Sequence, residues 1–157
     1  MDRIAKSCIE SNNFLMFCYI IHRLSSFQRL SIISKCVDRE RLSFIEYMLS
    51  NDIINIEDLL RLFIYFNKDE LLNYYLSMYP TDNINITCIA VSALLFSTDK
   101  VVDTIFSYFH KFNTIDFYRI AANALYRNRL KYVEKLAKNG SIDYKKLQEY
   151  MRKNPNF

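Results

Sequence analysis

The chain is predicted to be all-α, a short α-solenoid of about five helix-pair repeats. Three observations predict it: a shortage of turn formers, an apolar column that recurs every 27 to 31 residues, and a second column at constant distance from the first. One glycine, Gly140, and two prolines, Pro80 and Pro155, stand in 157 residues. A sheet protein needs such residues at each tight hairpin, so helices are favoured before any pattern is read. With 51% hydrophobic and 24% charged residues, the composition suits one globular core or one continuous stack.

The recurring column appears when Arg41–Leu49 (RLSFIEYML) is laid over Arg129–Ala137 (RLKYVEKLA). Followed through the chain, the Val133 position is Cys18, Ile45, Leu72, Val102 and Val133, and the position before it is Phe17, Phe44, Leu71, Val101 and Tyr132. Both columns are wholly apolar. Thirteen residues before each anchor stand Ala5, Ile32, Leu59, Ile89 and Ile120, and four further on stand Ile9, Cys36, Phe63, Ala93 and Ala124. An apolar i, i+4 stripe is the buried face of a helix, so each unit holds a first helix in fixed phase with a second. Length variation falls between units, where a loop absorbs it.

The units run over approximately 1–26, 27–52, 53–82, 83–113 and 114–140, with a partial C-terminal cap over 141–157, in a single helical-repeat domain. Short polar clusters mark the joins: Ser25-Ser26, Asn51-Asp52, Thr81-Asp82-Asn83, Asn113-Thr114 and Asn139-Gly140-Ser141. The chain restarts four times in one style, Ile54-Asn55-Ile56, Ile84-Asn85-Ile86, Ile115-Asp116-Phe117 and Ile142-Asp143-Tyr144. The Asn or Asp in each is placed to cap an incoming helix, and Gly140 to supply a left-handed stop. One such unit cannot bury its face alone; stacking makes the core continuous.

Ala124–Gly140 (ALYRNRLKYVEKLAKNG) resembles the second half of an ankyrin repeat, AAxxGHLEIVEVLLKNG, and Cys36–Asp52 resembles it more weakly. No unit has the TPLH turn, Asn128 stands at the usual glycine, and the glycine-rich hairpin finger has no counterpart. Such degenerate units, rich in Ile, Asn, Lys and Tyr, resemble the multigene-family proteins of African swine fever virus and the ankyrin proteins of giant viruses. The resemblance implies a viral, host-directed binder that acts on innate immune signalling inside the host cell, in its cytoplasm, and so serves immune evasion.

Chemistry-bearing motifs are few. Cys18 and His22 form the one i, i+4 pair able to offer two ligands from a helical face, which is too few for structural or catalytic zinc. They are expected to be a core thiol and a surface imidazole. His110, beside Lys111, is expected to be solvated near a helix end. One glycine excludes a phosphate loop, and neither GxSxG nor HExxH occurs. Glu57-Asp58 and Asp69-Glu70 fall at helix starts, where acids complement the dipole. No enzyme activity, metal or cofactor is expected.

Cys8, Cys18, Cys36 and Cys88 contain no CxxC pair and are expected as reduced, mostly buried thiols of an intracellular protein. The sequons Asn85-Ile86-Thr87 and Asn139-Gly140-Ser141 would matter only in a secreted chain. The longest apolar run, Phe14–Ile21, is far shorter than the roughly 20 residues of a membrane span. Arg3 and Lys6 precede it as in a signal peptide, but His22-Arg23 follows and no small-residue cleavage site does. No membrane association is expected.

A protein partner is the leading expectation. Off-stripe residues of the first helices would meet it: Lys35, Asp38, Arg61, Tyr65, Ser92, Arg119, Asn123 and Tyr126. Tyr65, Tyr118 and Tyr126 are candidate aromatic anchors, whereas Phe17, Phe44, Phe63 and Tyr132 belong to the core. The alternative partner is nucleic acid, because from residue 114 onward there are 10 Lys/Arg against 4 Asp/Glu. It would use Arg127, Arg129, Lys131, Lys135, Lys138, Lys145 and Lys146. The competing account of that charge is a terminal unit keeping a polar outer face.

Overall fold

The computed structural model describes residues 1–155, the Asn83 side chain excepted; the last two residues of the 141–157 segment lie outside the described residues. Among the described residues there are eleven α-helices and no strand. Ten of them alternate as pairs: α1 (Asp2–Glu10) with α2 (Phe14–Ile21), α3 (Ser26–Asp38) with α4 (Leu42–Ser50), and α5 (Ile56–Tyr65) with α6 (Asp69–Met78). Then come α7 (Ile86–Phe96) with α8 (Asp99–Ser107) and α9 (Phe117–Tyr126) with α10 (Leu130–Lys138), and α11 (Tyr144–Lys153) follows alone.

Two compact units divide the chain, residues 1–62 and 63–157, with the boundary inside α5. In the first, α1 packs on α2 and α3, and α4 packs on α2 and α3. In the second, α7 packs on α8 and α9, α9 on α10 and α11, and α6 on α8. Within each unit, first helices therefore meet first helices and second helices meet second helices.

The link inside a pair has one recurring form. Asn12, Glu40, Asn67 and Asn128 take left-handed φ values of 56°, 53°, 53° and 56°. The residue after each donates its N–H five residues back: Asn13 to Cys8 O (2.8 Å), Arg41 to Cys36 O (2.9 Å), Lys68 to Phe63 O (2.8 Å) and Arg129 to Ala124 O (2.8 Å). This is the bond that closes a Schellman-type helix end. In the second, third and fifth pairs the left-handed residue stands five positions before Ile45, Leu72 and Val133, which fixes the 13-residue offset between their buried faces. The fourth pair has no left-handed residue. Ser97 there is extended (φ −127°), its N–H bonds Ala93 O, and the Thr98 N–H takes Asn67 Oδ1 at 2.8 Å.

One position departs from the predicted columns. The left-handed residue of the first pair comes one residue earlier in phase than in the others, so the core position of α2 is Phe17, which is fully buried, and Cys18 is half-buried. The other columns hold: Ile32, Leu59, Ile89 and Ile120 are buried, as are Phe44, Leu71, Val101 and Tyr132. Each such side chain contributes about 1.5–3 kcal/mol by leaving water.

Helix starts follow the restart motif. Asn55 accepts from Asp58 N (2.8 Å), Asn85 from Cys88 N (3.1 Å), Asp116 from Arg119 N (2.9 Å), and Asp143 from Lys145 N and Lys146 N (2.9 and 3.0 Å). Ser25 and Gln28 form a full capping box at α3. Gly140 ends α10 at φ +71°. A Cβ there would meet no atom within 4 Å, so Gly140→Ala should cost about 1 kcal/mol through backbone strain alone. Gly140→Asn should recover most of that cost, read from urea midpoints of the two variants.

Candidate functional site

The predicted partner-binding residues fall into separate places. Arg61 lines a cleft of about 620 Å³ in the first unit, together with Arg29, Leu30, Asp52 and Asp58. Its guanidinium is held by Glu57 at 2.7 Å, one turn earlier on α5. Lys35 is half-buried and ion-paired with Glu10, which draws the Glu10 carboxyl below its ordinary range. Asp38 is exposed, Ser92 half-buried and Tyr65 exposed, and none of them lines either cleft.

Arg119, Asn123 and Tyr126 do come together. They line a cleft of about 630 Å³ in the second unit that crosses α7, α9 and α11. Val91 and Leu95 of α7 give it an apolar wall. Asp116, Tyr150 and Asn154 were not among the expected residues. Tyr150 occupies on α11 the position that Asn123 occupies on α9, so carrying the Ile-Asp-aromatic restart one unit further would have found it. Its hydroxyl donates to Asp116 Oδ2 at 3.3 Å, while Asp116 Oδ1 caps α9. Burial, then the Asp116 charge, raises the Tyr150 phenol above its usual range.

Asn123 differs from the surface contact expected of it. It is 6% exposed, and its Nδ2 donates to Arg119 O at 2.9 Å, which places it in the cleft floor. Tyr126, by contrast, is 74% exposed, with the Arg127 guanidinium 5.7 Å from its ring centroid. Among the described residues no carboxylate lies within ion-pair distance of the Arg119 or Arg127 guanidinium. Tyr118 is half-buried, stacked on Tyr150 and accepting from Asp143 N at 3.4 Å.

The basic C-terminal set is divided. Lys131 pairs with Asp99 at 2.7 Å, Lys135 with Asp103 at 3.3 Å, and Arg129 stands 3.6 Å from Asp99 while donating to Ser97 O. Lys138, Lys145 and Lys146 are exposed and outside this network. Asp69 and Lys100 of the preceding step repeat the Asp99–Lys131 pair at 2.7 Å. Tyr132, beneath the network, donates to Asp99 O (3.0 Å), and burial pushes its phenol up to about 12.

The remaining polar candidates have local roles. His22 is exposed and 2.9 Å from the Tyr47 hydroxyl, and His110 lies in a short 3-10 turn with Nδ1 2.8 Å from Ser107 O. Glu57-Asp58 and Asp69-Glu70 occupy the first turns of α5 and α6. All four cysteines are free thiols, and among the described residues no group of three His, Cys, Asp or Glu is placed to hold a metal. No described helix is long and apolar enough to cross a membrane. No protein-family model, curated protein or solved structure matches the chain.

The hydrogen bond from Lys131 holds the Asp99 carboxyl below its ordinary value, with Tyr132 and Arg129 adding to it. A lowered folded-state value stabilises above the unfolded carboxylate range and loses that stabilisation as pH falls through it. Urea midpoints at pH 7 and pH 3 should differ more for the wild type than for Asp99→Asn. At pH 7 the variant should melt about 1–3 °C lower, since both partners are more than half exposed.

Proposed function

We propose that the chain is a non-enzymatic protein-interaction module, a solenoid of degenerate ankyrin-like helix pairs whose first helices carry the partner surface. The observation that supports it is the second-unit cleft, where the Arg119 and Arg127 guanidiniums, without a carboxylate partner, flank the exposed Tyr126 beside Val91 and Leu95. Tyr and Arg dominate binding hot spots, and a guanidinium matches a carboxylate through two parallel hydrogen bonds. An apolar wall between such groups suits a segment that carries an apolar side chain flanked by acids. The ankyrin-like resemblance extends this proposal to a viral protein directed at a host partner in the cytoplasm.

Nucleic acid is the second reading, favoured by the exposed Lys138, Lys145 and Lys146. The engagement of Arg129, Lys131 and Lys135 by Asp99 and Asp103 weighs against it, because phosphate contacts need cations free to displace counterions.

Affinity capture from cell lysate, followed by mass spectrometry, separates these readings. The wild type should retain a partner that the Arg119→Glu, Tyr126→Ala, Arg127→Glu triple variant loses by at least about tenfold, with helical circular dichroism unchanged. Labelled oligonucleotides at low salt should show no change in anisotropy. Tight binding that weakens steeply with salt and disappears on reversing Lys138, Lys145 and Lys146 would transfer the function to the second reading.

A further inference from the structure

Asn123 lines the second-unit cleft although it is only 6% exposed. Its Nδ2 donates to the Arg119 carbonyl at 2.9 Å, and a carbonyl accepts only from the nitrogen of the amide, so Oδ1 is turned away from that bond. Oδ1 takes no hydrogen bond from any described residue. Unlike Arg29 Nε, which is unbonded and enclosed, it keeps contact with solvent, and the cleft is the side from which it is reached. A buried acceptor open to a cleft is a place for a donor from outside the chain.

The amide stands midway between two cations. Arg119, Asn123 and Arg127 follow at four-residue steps along α9 and its C-terminal cap, each step about 6 Å of helix rise, so the two arginine positions are about 12 Å apart. Neither guanidinium has a carboxylate within ion-pair distance among the described residues. Val91 and Leu95 of α7 supply the apolar wall beside them. Among the described lining residues Asp116 alone is acidic, and both its oxygens are engaged, Oδ1 by the Arg119 N–H and Oδ2 by the Tyr150 hydroxyl.

We infer that this cleft takes a linear peptide in extended conformation, in the spacing acid-x-apolar-x-acid; the inference rests on the cleft being a protein-interaction surface. Asn123 Oδ1 accepts a main-chain N–H of the peptide, Arg119 and Arg127 each hold an acidic side chain, and Val91 with Leu95 covers the apolar one. The spacing follows from strand geometry. An extended chain advances about 3.3 Å per residue and turns alternate side chains to one side, so same-side residues recur about every 6.6 Å. Two such intervals match the separation of the arginine positions. A helical segment can also place two acids about 12 Å apart, but its main-chain N–H groups are consumed inside the helix, and it would leave Asn123 Oδ1 without a donor.

Fluorescence anisotropy with a labelled, end-capped peptide of core Glu-Ser-Leu-Ser-Glu tests this. The wild type should bind it with a Kd on the order of 10–100 µM, and closing the core to Glu-Leu-Glu should weaken binding at least about tenfold. N-methylating one peptide nitrogen at a time along the core should cost at least about tenfold at one position. In Asn123→Leu, which keeps the side-chain volume, that same methyl group should cost less than about twofold, with circular dichroism reporting the fold. Failure to bind at roughly 0.5 mM protein, a scan with no sensitive position, or tighter binding of the same core locked as a helix overturns the inference. The interaction-module proposal is decided separately, by whether the triple variant loses its captured partner, so a cleft that holds a helical partner keeps that proposal and loses this one.

Discussion

The left-handed residue between the two helices of a pair is the constraint on which the rest of this structure depends. At Asn12, Glu40, Asn67 and Asn128 the chain reverses within one residue, and the following N–H returns to a carbonyl five positions back. That bond sets the phase in which the second helix leaves the first. Its apolar face must meet the face already set by Cys36, Phe63 or Ala124. Asn suits the left-handed region because its short amide tolerates it, whereas Glu40 holds it at a cost of about 1 kcal/mol against glycine. The burial of Phe44 and Ile45 on the helix that follows offsets that cost.

The second interaction of consequence is the repeated carboxylate–lysine step. Asp69 with Lys100 and Asp99 with Lys131 are the same pair one helix pair apart. Individually they are surface pairs of small value. Their larger effect is on the electrostatic character of the C-terminal third, because cations that appear unbalanced along the sequence are balanced in space. The positive groups left without a carboxylate include Arg119 and Arg127, and those belong to the cleft rather than to the second helices.

Much of the helix order was legible in the sequence because the signals were local. Ile-Asn and Ile-Asp restarts specify caps that depend on three neighbouring residues, and all four form. The paired periodicities were legible because the hinge holds them in phase in the second, third and fifth pairs. What was not legible depended on three dimensions. Asn123 was placed on the surface by helical phase, yet α7 and α11 flank α9 on both sides and bury it. Cys18 was assigned to the core because the first hinge comes one residue early, and no local signal marks that shift. The pairing of Lys131 and Lys135 with α8 acids spans about one whole helix pair, a separation at which charge patterns along a chain carry little information.

Asn67 has a consequence of another kind. Its backbone makes the hinge of the third pair, and its side chain reaches the Thr98 N–H to begin the fourth pair's second helix, where no left-handed residue is present. The fourth pair thus borrows its turn from the third. One exposed hydrogen bond of 2.8 Å thus ties the start of α8 to the turn that precedes α6. A substitution at Asn67 therefore touches two turns, its own and the one 31 residues further on.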